Sequence, residues 1–359
     1  MRVLFAPDSL GGLSAYEVGS CLVEAWEGHD TVAIPMGESG AGWLQAVADL
    51  VGEDVALLPL DPAASRDPAD AVVSLVTAGR GVTAVAVEAT RTEPARGIDW
   101  SAGSAPLGEA LRAALTDGPV PDSVVVDLAG LTNHDAGAGF LQALGARADV
   151  DLTGGVAGLG SVQSVDIAPV RKLLADTTLI GVVPEAQRNA HLLGLRGITS
   201  IAGREADVAT EKLLAADAAL EQFVGLVAPE AAAEPGSGAC GGLGWAIRAL
   251  GGSVMTGPEH LIERCGLRTL AQQADLVVTG CTSYDFASRG GGVVASVAAL
   301  AEEAMRPCIV LAGDVLIGSR EMRTMGVEAA YPVLDGAADI DQTAAVRSVA
   351  ARIARSWSW

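Results

Sequence analysis

Acidic side chains follow two short apolar runs of the chain. Asp8 and Ser9 come after the run 3–6, and Asp285 comes after the run 276–279. If these runs are parallel strands of an open sheet, the polar residues that follow them face the crevice in which such sheets bind ligands. A carboxylate there can hold a ligand or Mg²⁺, whereas the alternatives are a turn role for Asp8 and a solvated ion pair for Asp285.

The segment 124–139 places four polar side chains between an apolar strand and a helix start made of glycine and alanine. They are Thr132, Asn133, His134 and Asp135. Packing four polar groups in such a place is costly unless they bind something, so we expect a functional role. His134 taken alone has the alternative of a merely hydrogen-bonded histidine at a helix start.

Two glycine-rich turns have the composition of anion sites. PMGESGAG at 35–42 carries Glu38, and EPGSGACGGLGWA at 234–246 contains Gly241 and Gly242. Backbone N–H groups in such turns bind phosphate or carboxylate at helix starts. The second turn is not a Walker A loop, because no Gly-Lys-Ser/Thr follows. The alternatives are an ordinary strand-to-helix turn for the first and an inter-domain hinge for the second.

The loop 280–292 begins with Gly280 and Cys281 and also carries Arg289. Arg289 could pair with a phosphate, which is one of the parts that phosphoryl transfer needs. Cys281 has no identified base beside it, so we expect a filler thiol and not a nucleophile. Another transfer or hydrolysis chemistry centred on this thiol or on His134 lacks a complete set of nucleophile, base and oxyanion donors.

The elements that must position these residues show a regular alternation near both ends of the chain. Short apolar runs alternate with alanine-rich amphipathic stretches, which indicates strands followed by helices. The pattern predicts an α/β fold in which strands 3–6, 32–35, 276–279 and 308–312 share one parallel sheet. Between about 60 and 260 the pattern is less regular, and 359 residues favour two domains.

Composition argues against several classes of protein. The net charge of −21 repels nucleic acid and anionic membranes, so we expect neither as a partner. The first residues do not resemble a signal peptide and no apolar stretch is long enough to span a membrane, so we expect a cytoplasmic protein. Five cysteines without a CxxC pair argue against a disulfide framework. Lysine is scarce, with Lys172 and Lys212 alone.

The motif segments, in this order, resemble the type I glycerate kinase family. The family pattern reads like APDS(F/Y)KxSLSA, PMADGGEG, GGSATNDGGAG, PGAGAAGGLGAG and TGEGRLDxQTxxGK. The matching segments of this chain are 6–15, 35–42, 129–139, 235–246 and 279–292. The resemblance implies ATP-dependent phosphoryl transfer, with Mg²⁺, to D-glycerate or a similar small hydroxy acid.

The resemblance also implies an architecture. It is a two-domain α/β protein with the active site in the cleft between the domains. The first domain, 1–60 plus 265–359, has a parallel doubly wound sheet of the Rossmann or flavodoxin-like kind, and the second α/β domain, 61–264, is inserted into it. The expected partners are a nucleotide and a small hydroxy acid, and a homodimer is compatible with the resemblance.

Position by position, the polar residues that match the family pattern are Asp8, Ser9, Asp135 and Asp285, with Gly241, Gly242 and Gly280 among the matching glycines. The catalytic candidates are Asp8, Asp135 and Asp285, the last also as the metal ligand. The candidates for binding substrate or nucleotide are Ser9, Glu38, Thr132, Asn133, His134, Gly241, Gly242, Gly280 and Arg289. The candidates outside the matching set lie in the same segments without matching the pattern.

The chain departs from the family pattern at several polar positions, including both motif lysines. The first segment lacks the lysine and is one residue shorter, Gly292 stands for the lysine of GK, Cys281 for the glutamate of TGEG, and His134 for an asparagine. Because phosphoryl transfer relies on positioned cations, this loss predicts weak or absent D-glycerate kinase turnover unless Arg289 or Arg91 substitutes. The alternative is a non-catalytic pseudokinase relative that acts as a metabolite-binding or protein-interaction module.

Overall fold

A computed structural model of the chain describes residues 1–59, 72–89, 98–116, 118–286, 291–334 and 341–358. The protein is an α/β protein in which helices follow parallel strands, as predicted. The chain divides into two compact units. One is formed by Met1–Asp54 and Thr256–Trp359, and the other by Val55–Met255. The first unit therefore uses both ends of the chain, and the sequence predicts slightly later boundaries.

The elements are numbered along the chain. The strands are β1 (Arg2–Phe5), β2 (Asp30–Ala33), β3 (Ala56–Pro59), β4 (Val72–Gly79), β5 (Val82–Ala89), β6 (Ser123–Asp127), β7 (Arg147–Ala148), β8 (Val165–Asp166), β9 (Thr178–Val183), β10 (Ser253–Thr256), β11 (Leu276–Asp285), β12 (Cys308–Leu316) and β13 (Ala329–Pro332). The helices are α1 (Ala15–Ala25), α2 (Gly40–Val51), α3 (Ala105–Thr116), α4 (Ala138–Leu144), α5 (Val156–Leu159), α6 (Ala168–Leu173), α7 (Ile198–Glu205), α8 (Thr210–Val227), α9 (Ala239–Ala249), α10 (Gly257–Arg264), α11 (Leu267–Gln273), α12 (Gly291–Glu303), α13 (Ser319–Thr324) and α14 (Gln342–Trp357).

The first unit contains a parallel sheet in the order β13-β12-β11-β1-β2. Val3 on β1 pairs with Leu276 on β11, and Val278 pairs with Ile309 on β12. The prediction that four strands from the two ends of the chain share one sheet is therefore confirmed. These strands are apolar on both faces because both faces are covered, and successive residues such as Val3 and Leu4 are fully buried.

Helices α1 and α14 pack together against the first sheet. Val18 on α1 and Ile353 on α14 share a buried cluster with Phe5 and Leu311 of the strands. Helix α1 begins at a capping box, in which Ser14 accepts a hydrogen bond from the backbone of Glu17. This cap fixes the direction in which the chain leaves the loop after β1.

The second unit contains a mixed sheet in the order β10-β9-β6-β5-β4-β3. Strands β5, β6 and β9 are parallel neighbours, whereas β3, β4 and β5 form antiparallel pairs that the sequence analysis does not predict. The hairpin between β4 and β5 turns at Arg80 and Gly81, which both have positive φ. A glycine-containing two-residue turn of this kind is a local hairpin signal.

The core of the second unit lies between this sheet and its helices. Val124 and Val126 on β6 pack in one buried cluster with Leu111 on α3, Phe140 on α4 and Trp245 on α9. Among the described residues, no helix is both long and apolar enough to cross a membrane.

Candidate functional site

Two strands of the first sheet meet at a topological switch point. β1 leads through α1 to β2 on one side, whereas β11 leads through α12 to β12 on the other side. Because β1 and β11 are adjacent and parallel, the crevice beyond their carboxyl ends is where an open α/β sheet binds its ligand. Asp8, Ser9 and Gly280 lie at this edge, with the backbone N–H of Asp8 donating to the carbonyl of Gly280 at 3.0 Å.

The Asp8 carboxyl is the most perturbed acid of this edge. Its Oδ1 accepts hydrogen bonds from the backbone N–H of Ser9 at 2.7 Å and from the Ser9 hydroxyl at 3.3 Å. Burial raises the pKa of the Asp8 carboxyl to about 6; the Ser9 hydrogen bonds oppose this shift, and the Glu38 carboxylate adds to it. A carboxyl group with a pKa this close to neutral is suited to proton transfer.

Glu38 lies at the start of helix α12. Its Oε2 accepts a hydrogen bond from the backbone N–H of Gly292 at 3.1 Å. The N-terminus of a helix favours a negative charge, and here a carboxylate of the chain itself takes that place. The sequence predicts that the turn 35–42 binds an anion on its N–H groups, whereas here the turn supplies the anion, the Glu38 carboxylate, to the start of α12. The predicted contact of Glu38 with substrate or nucleotide stays a prediction.

Cys281 and Asp285 lie on β11 beyond Gly280. Burial is the main cause that raises the pKa of the Cys281 thiol to about 12, and the carboxylates of Asp8 and Asp285 raise it further. The thiol is therefore protonated at neutral pH, in agreement with the filler role expected from the sequence. The carboxylates of Asp8 and Asp285 thus both raise the pKa of the same thiol. Asp285 Oδ2 also accepts a hydrogen bond from the Ser283 hydroxyl at 3.2 Å.

The two arginines proposed to replace the missing lysines, Arg289 and Arg91, lie outside the described residues. Within the described part of the chain, no Arg or Lys contributes to the pKa shift of Asp8. The charged group that acts on this carboxyl within the described residues is Glu38, and the predicted phosphate contact of Arg289 stays a prediction.

Asp135 belongs to the second unit and is completely buried. Its two oxygens accept hydrogen bonds from the backbone N–H groups of Ser104, Gly137 and Gly139, from the Ser104 hydroxyl and from the Asn133 amide, at 2.8 to 3.1 Å. Through these hydrogen bonds the Asp135 carboxylate holds the backbone of the turn that leads into α4. The predicted catalytic role of Asp135, and its convergence with Asp8 and Asp285, stay predictions.

The other polar residues of this segment differ in exposure. Thr132 is exposed, whereas Asn133 and His134 are buried. His134 Nε2 lies 2.9 Å from the Thr199 hydroxyl oxygen, and burial lowers the pKa of the imidazole to about 4, so the ring is neutral at pH 7. The Asn133 amide nitrogen donates to Asp135 and to the carbonyl of Cys240, but its Oδ1 is buried without a hydrogen-bond partner. An orphaned buried acceptor costs about 1 to 3 kcal/mol, so a donor from a ligand would stabilise it.

The glycines of the segment 235–246 allow a close backbone approach. Gly241 and Gly242 have left-handed φ values of 67° and 91°. A Cβ at Gly241 would lie 1.9 Å from the carbonyl oxygen of Asn133, and one at Gly242 would lie 2.6 Å from the Cα of Ala136. Close packing against the segment 129–139 therefore explains both glycines, and their predicted binding role stays a prediction.

Non-glycine residues at this contact are also strained. Ala136 and Cys240 have φ values of 50° and 52°, in the left-handed region that side chains disfavour. Strain of this kind concentrates at functional sites, where the surrounding structure holds it in place. The strained backbone and the partnerless Asn133 oxygen occur in the same pair of packed turns, which keeps this segment a candidate for ligand binding in the second unit.

Sequence reasoning missed two residues beside Asp8 and Ser9. The hydroxyl of Thr282 and the side-chain carbonyl of Gln342 accept hydrogen bonds from the backbone N–H groups of the turn that follows Ser9. Thr282 falls within the motif segment 279–292 but is not singled out there, and Gln342 falls in no motif; they lie 271 and 330 positions along the chain from their partners. Only the order of the strands brings them together.

Comparisons with known proteins identify relatives over nearly the whole chain. A family model described as the glycerate kinase family matches residues 3–358. An uncharacterized protein of Mycobacterium bovis is 30% identical over 363 residues, covering 95% of this chain and 86% of its own. The glycerate kinase of Bacillus subtilis and the glycerate 2-kinase of Escherichia coli are each 26% identical, over 95% of this chain and 92% and 93% of their own.

The fold has a counterpart among solved structures. A protein of Salmonella typhimurium LT2, provisionally named glycerate kinase 2, superimposes with a TM-score of 0.79. The match covers 99% of this chain and 98% of the other at 24% sequence identity. At this identity the likeness concerns the fold, and it agrees with the two-domain α/β arrangement predicted from the sequence.

Proposed function

Because the chain belongs to the glycerate kinase family, we propose that it transfers the terminal phosphoryl group of ATP to a hydroxyl group of D-glycerate or a similar small hydroxy acid. The observation that supports this most directly is the Asp8 carboxyl at the switch point of the first sheet. Its pKa of about 6 suits a group that must be ionised at neutral pH and still accept a proton.

The proposed roles follow from the contacts of this edge. The acceptor hydroxyl oxygen forms a bond to the terminal phosphorus as the bond to the ADP oxygen breaks, and the hydroxyl proton passes to the Asp8 carboxylate. Ser9 holds that carboxylate through two hydrogen bonds, so its orientation is fixed before substrate arrives. Asp8 is thus the proposed base and Ser9 the residue that orients it.

Mg²⁺ is compatible with the residues of this edge. Among the described residues, no group of three or more His, Cys, Asp or Glu side chains is arranged to hold a metal by itself. Mg²⁺ that accompanies a nucleotide needs only one or two protein carboxylates beside the phosphates, and Asp285 is of the required kind. When bound, the ion neutralises charge on the transferring phosphates.

A coupled ADP-release assay with D-glycerate and several other hydroxy acids tests this function. We expect measurable but weak D-glycerate turnover, below the ordinary range of about 1 to 1000 per second, because the motif lysines are missing. Asp8→Asn should abolish it, whereas Asp54→Asn, a control on an exposed aspartate of the same unit, should leave it unchanged. No turnover with any acid, or an active Asp8→Asn protein, would count against the proposal.

A non-catalytic metabolite-binding relative is the second candidate. Glu38 favours it, since its carboxylate raises the pKa of Asp8 and already occupies the start of α12. In this case nucleotide binding should be seen by calorimetry without turnover, should require Mg²⁺ and should weaken in Asp285→Ala. Binding of ATP that is equally strong without Mg²⁺ would exclude this use of Asp285.

A further inference from the structure

The loop directly after Asp8 and Ser9 is a tight turn of two glycines. The backbone N–H groups of Leu10 and Leu13 each donate to the other residue's carbonyl at 3.0 Å, so Gly11 and Gly12 form the tip of a two-residue hairpin turn. Gly11 has a φ of 60°, which such a turn requires and which glycine adopts without strain. Leu10 is completely buried and anchors the turn to the core.

Thr282 ties this turn to strand β11. Its hydroxyl oxygen accepts a hydrogen bond from the backbone N–H of Gly11 at 3.1 Å, and the same hydroxyl donates to the carbonyl of Ser9 at 3.3 Å. One side chain thus fixes both the tip of the turn and the residue that orients Asp8. Valine has the same shape as threonine but can make neither bond.

Gln342 holds the turn from the other end of the chain. It is the first residue of α14, whose start is capped by the carboxylate of Asp341. Its Oε1 accepts a hydrogen bond from the backbone N–H of Gly12 at 2.6 Å. The same side chain fills the space beside Gly11, where an added Cβ would lie 2.7 Å from Gln342 Oε1. A side chain at Gly11 would displace the Gln342 amide from this position.

We propose that Thr282 and Gln342 are positioning residues, which hold the Gly11–Gly12 turn so that Ser9 keeps the Asp8 carboxylate in its orientation toward the acceptor hydroxyl. The proposal rests on the proposed function of Asp8. Without the two side chains, the turn loses its tethers to β11 and α14, and Ser9 loses the donor to its carbonyl. The result should be a mobile loop with more water at Asp8.

The charged and titratable groups around Asp8 come from other elements. Among the described residues they include Glu38, which raises the pKa of Asp8, Cys281 and Asp285 on β11, which both interact with this edge, and Asp49 on α2, which lines the same small cavity. None of them is changed in the variants below. A shift in the titration of Asp8 in Thr282→Val or Gln342→Ala, which add no charge, therefore reports a change in its solvation or in its hydrogen bonds to Ser9.

The test compares Thr282→Val and Gln342→Ala with the unmodified chain. Amide hydrogen exchange at Gly11 and Gly12 is measured by NMR, and the Asp8 carboxyl is titrated through its ¹³C signal. We expect exchange about fivefold faster at the freed amide, since each local hydrogen bond is worth about 1 kcal/mol. We also expect the pKa of Asp8 to fall from about 6 toward its ordinary value, because water reaches the carboxyl.

Two further variants sharpen the test. Gln342→Glu keeps an acceptor oxygen for Gly12 and should retain slow exchange, whereas Gln163→Ala, an exposed glutamine of the second unit, should change neither readout. If the chain turns over substrate, Thr282→Val should lower kcat by at least about tenfold with a smaller change in KM. Far-UV circular dichroism checks that each variant is folded.

Unchanged exchange in both Thr282→Val and Gln342→Ala would overturn the proposal. So would faster exchange with an unaltered Asp8 titration, because the two residues would then secure the turn without positioning the acid. Exchange and titration need no turnover, so an inactive unmodified chain would contradict the proposed function alone.

Discussion

At the residue scale, the Asp8 carboxyl lies in a place that disfavours its charge. Its pKa rises from 3.8 to about 6 on folding, mainly because it is buried. Between these two pH values the native state binds more protons than the unfolded state, so the free energy of unfolding falls as the pH rises through this window. At neutral pH the ionised carboxylate therefore destabilises the fold, as residues retained for chemistry often do.

We expect Asp8→Asn to raise the free energy of unfolding at pH 7.5 by about 1 to 3 kcal/mol. The neutral amide keeps an acceptor oxygen for Ser9 and removes the buried charge. At pH 4.5, near the lower end of the window between 3.8 and about 6, most of this difference should be gone, because the native carboxyl is protonated there. Urea unfolding at both pH values measures this difference, with Asp54→Asn as the control, and a variant no more stable at pH 7.5 would contradict it.

At the element scale, the second unit depends on one close contact between two turns. The start of α9, where 240–242 have left-handed backbone, packs on the turn before α4. The N–H of Ala136 donates to the carbonyl of Gly241 at 3.0 Å, and the Asn133 amide donates to the carbonyl of Cys240 at 3.2 Å. The contact is possible only because a glycine faces the Asn133 carbonyl.

We expect Gly241→Ala to lower the free energy of unfolding by about 3 kcal/mol or more. A left-handed non-glycine residue costs about 1 to 2 kcal/mol, and overpacking at a contact of 1.9 Å adds about 1 to 3 kcal/mol. Gly251→Ala is the matched control, because Gly251 also has positive φ but has no atom within 4 Å of its Cβ position. The difference between the two variants in urea unfolding isolates the close approach, and equal losses would show that the contact adds nothing.

At the scale of the whole molecule, the net charge of −21 opposes the compact state. The described ion pairs with exposed partners, such as Arg2 with Asp30 and Arg347 with Glu24, are each worth about 0 to 1 kcal/mol. Self-repulsion among the excess carboxylates outweighs them, because it involves many more like-charged neighbours. Salt screens both the repulsion and the ion pairs, so the larger of the two decides whether added salt raises or lowers the stability.

We therefore expect the melting temperature to rise between about 20 mM and 300 mM NaCl, over which the Debye length falls well below 10 Å. Differential scanning fluorimetry at constant pH measures the rise. KCl at equal concentration is the control for a specific effect of the sodium ion. A melting temperature that falls with salt would show that the surface ion pairs dominate.

The sequence by itself determined the features that depend on local pattern. Alternating apolar runs and amphipathic stretches predict the four strands of the first sheet, because burial on both faces demands such runs. The inert thiol of Cys281 also follows from the neighbouring residues, since no base is identified beside it in the sequence. The hairpin at Arg80 and Gly81 had a local signal too, but the irregular pattern around it hid the antiparallel strands.

Only the tertiary structure decided which distant groups meet. The bond from Gly12 to Gln342 spans 330 positions, and the contact of Glu38 with Gly292 spans 254. The order of the strands and the packing of α12 and α14 create both, and no residue spacing encodes them. The same holds for the raised pKa of Asp8, since the burial that causes it is a property of the folded chain and has no counterpart in the residue itself.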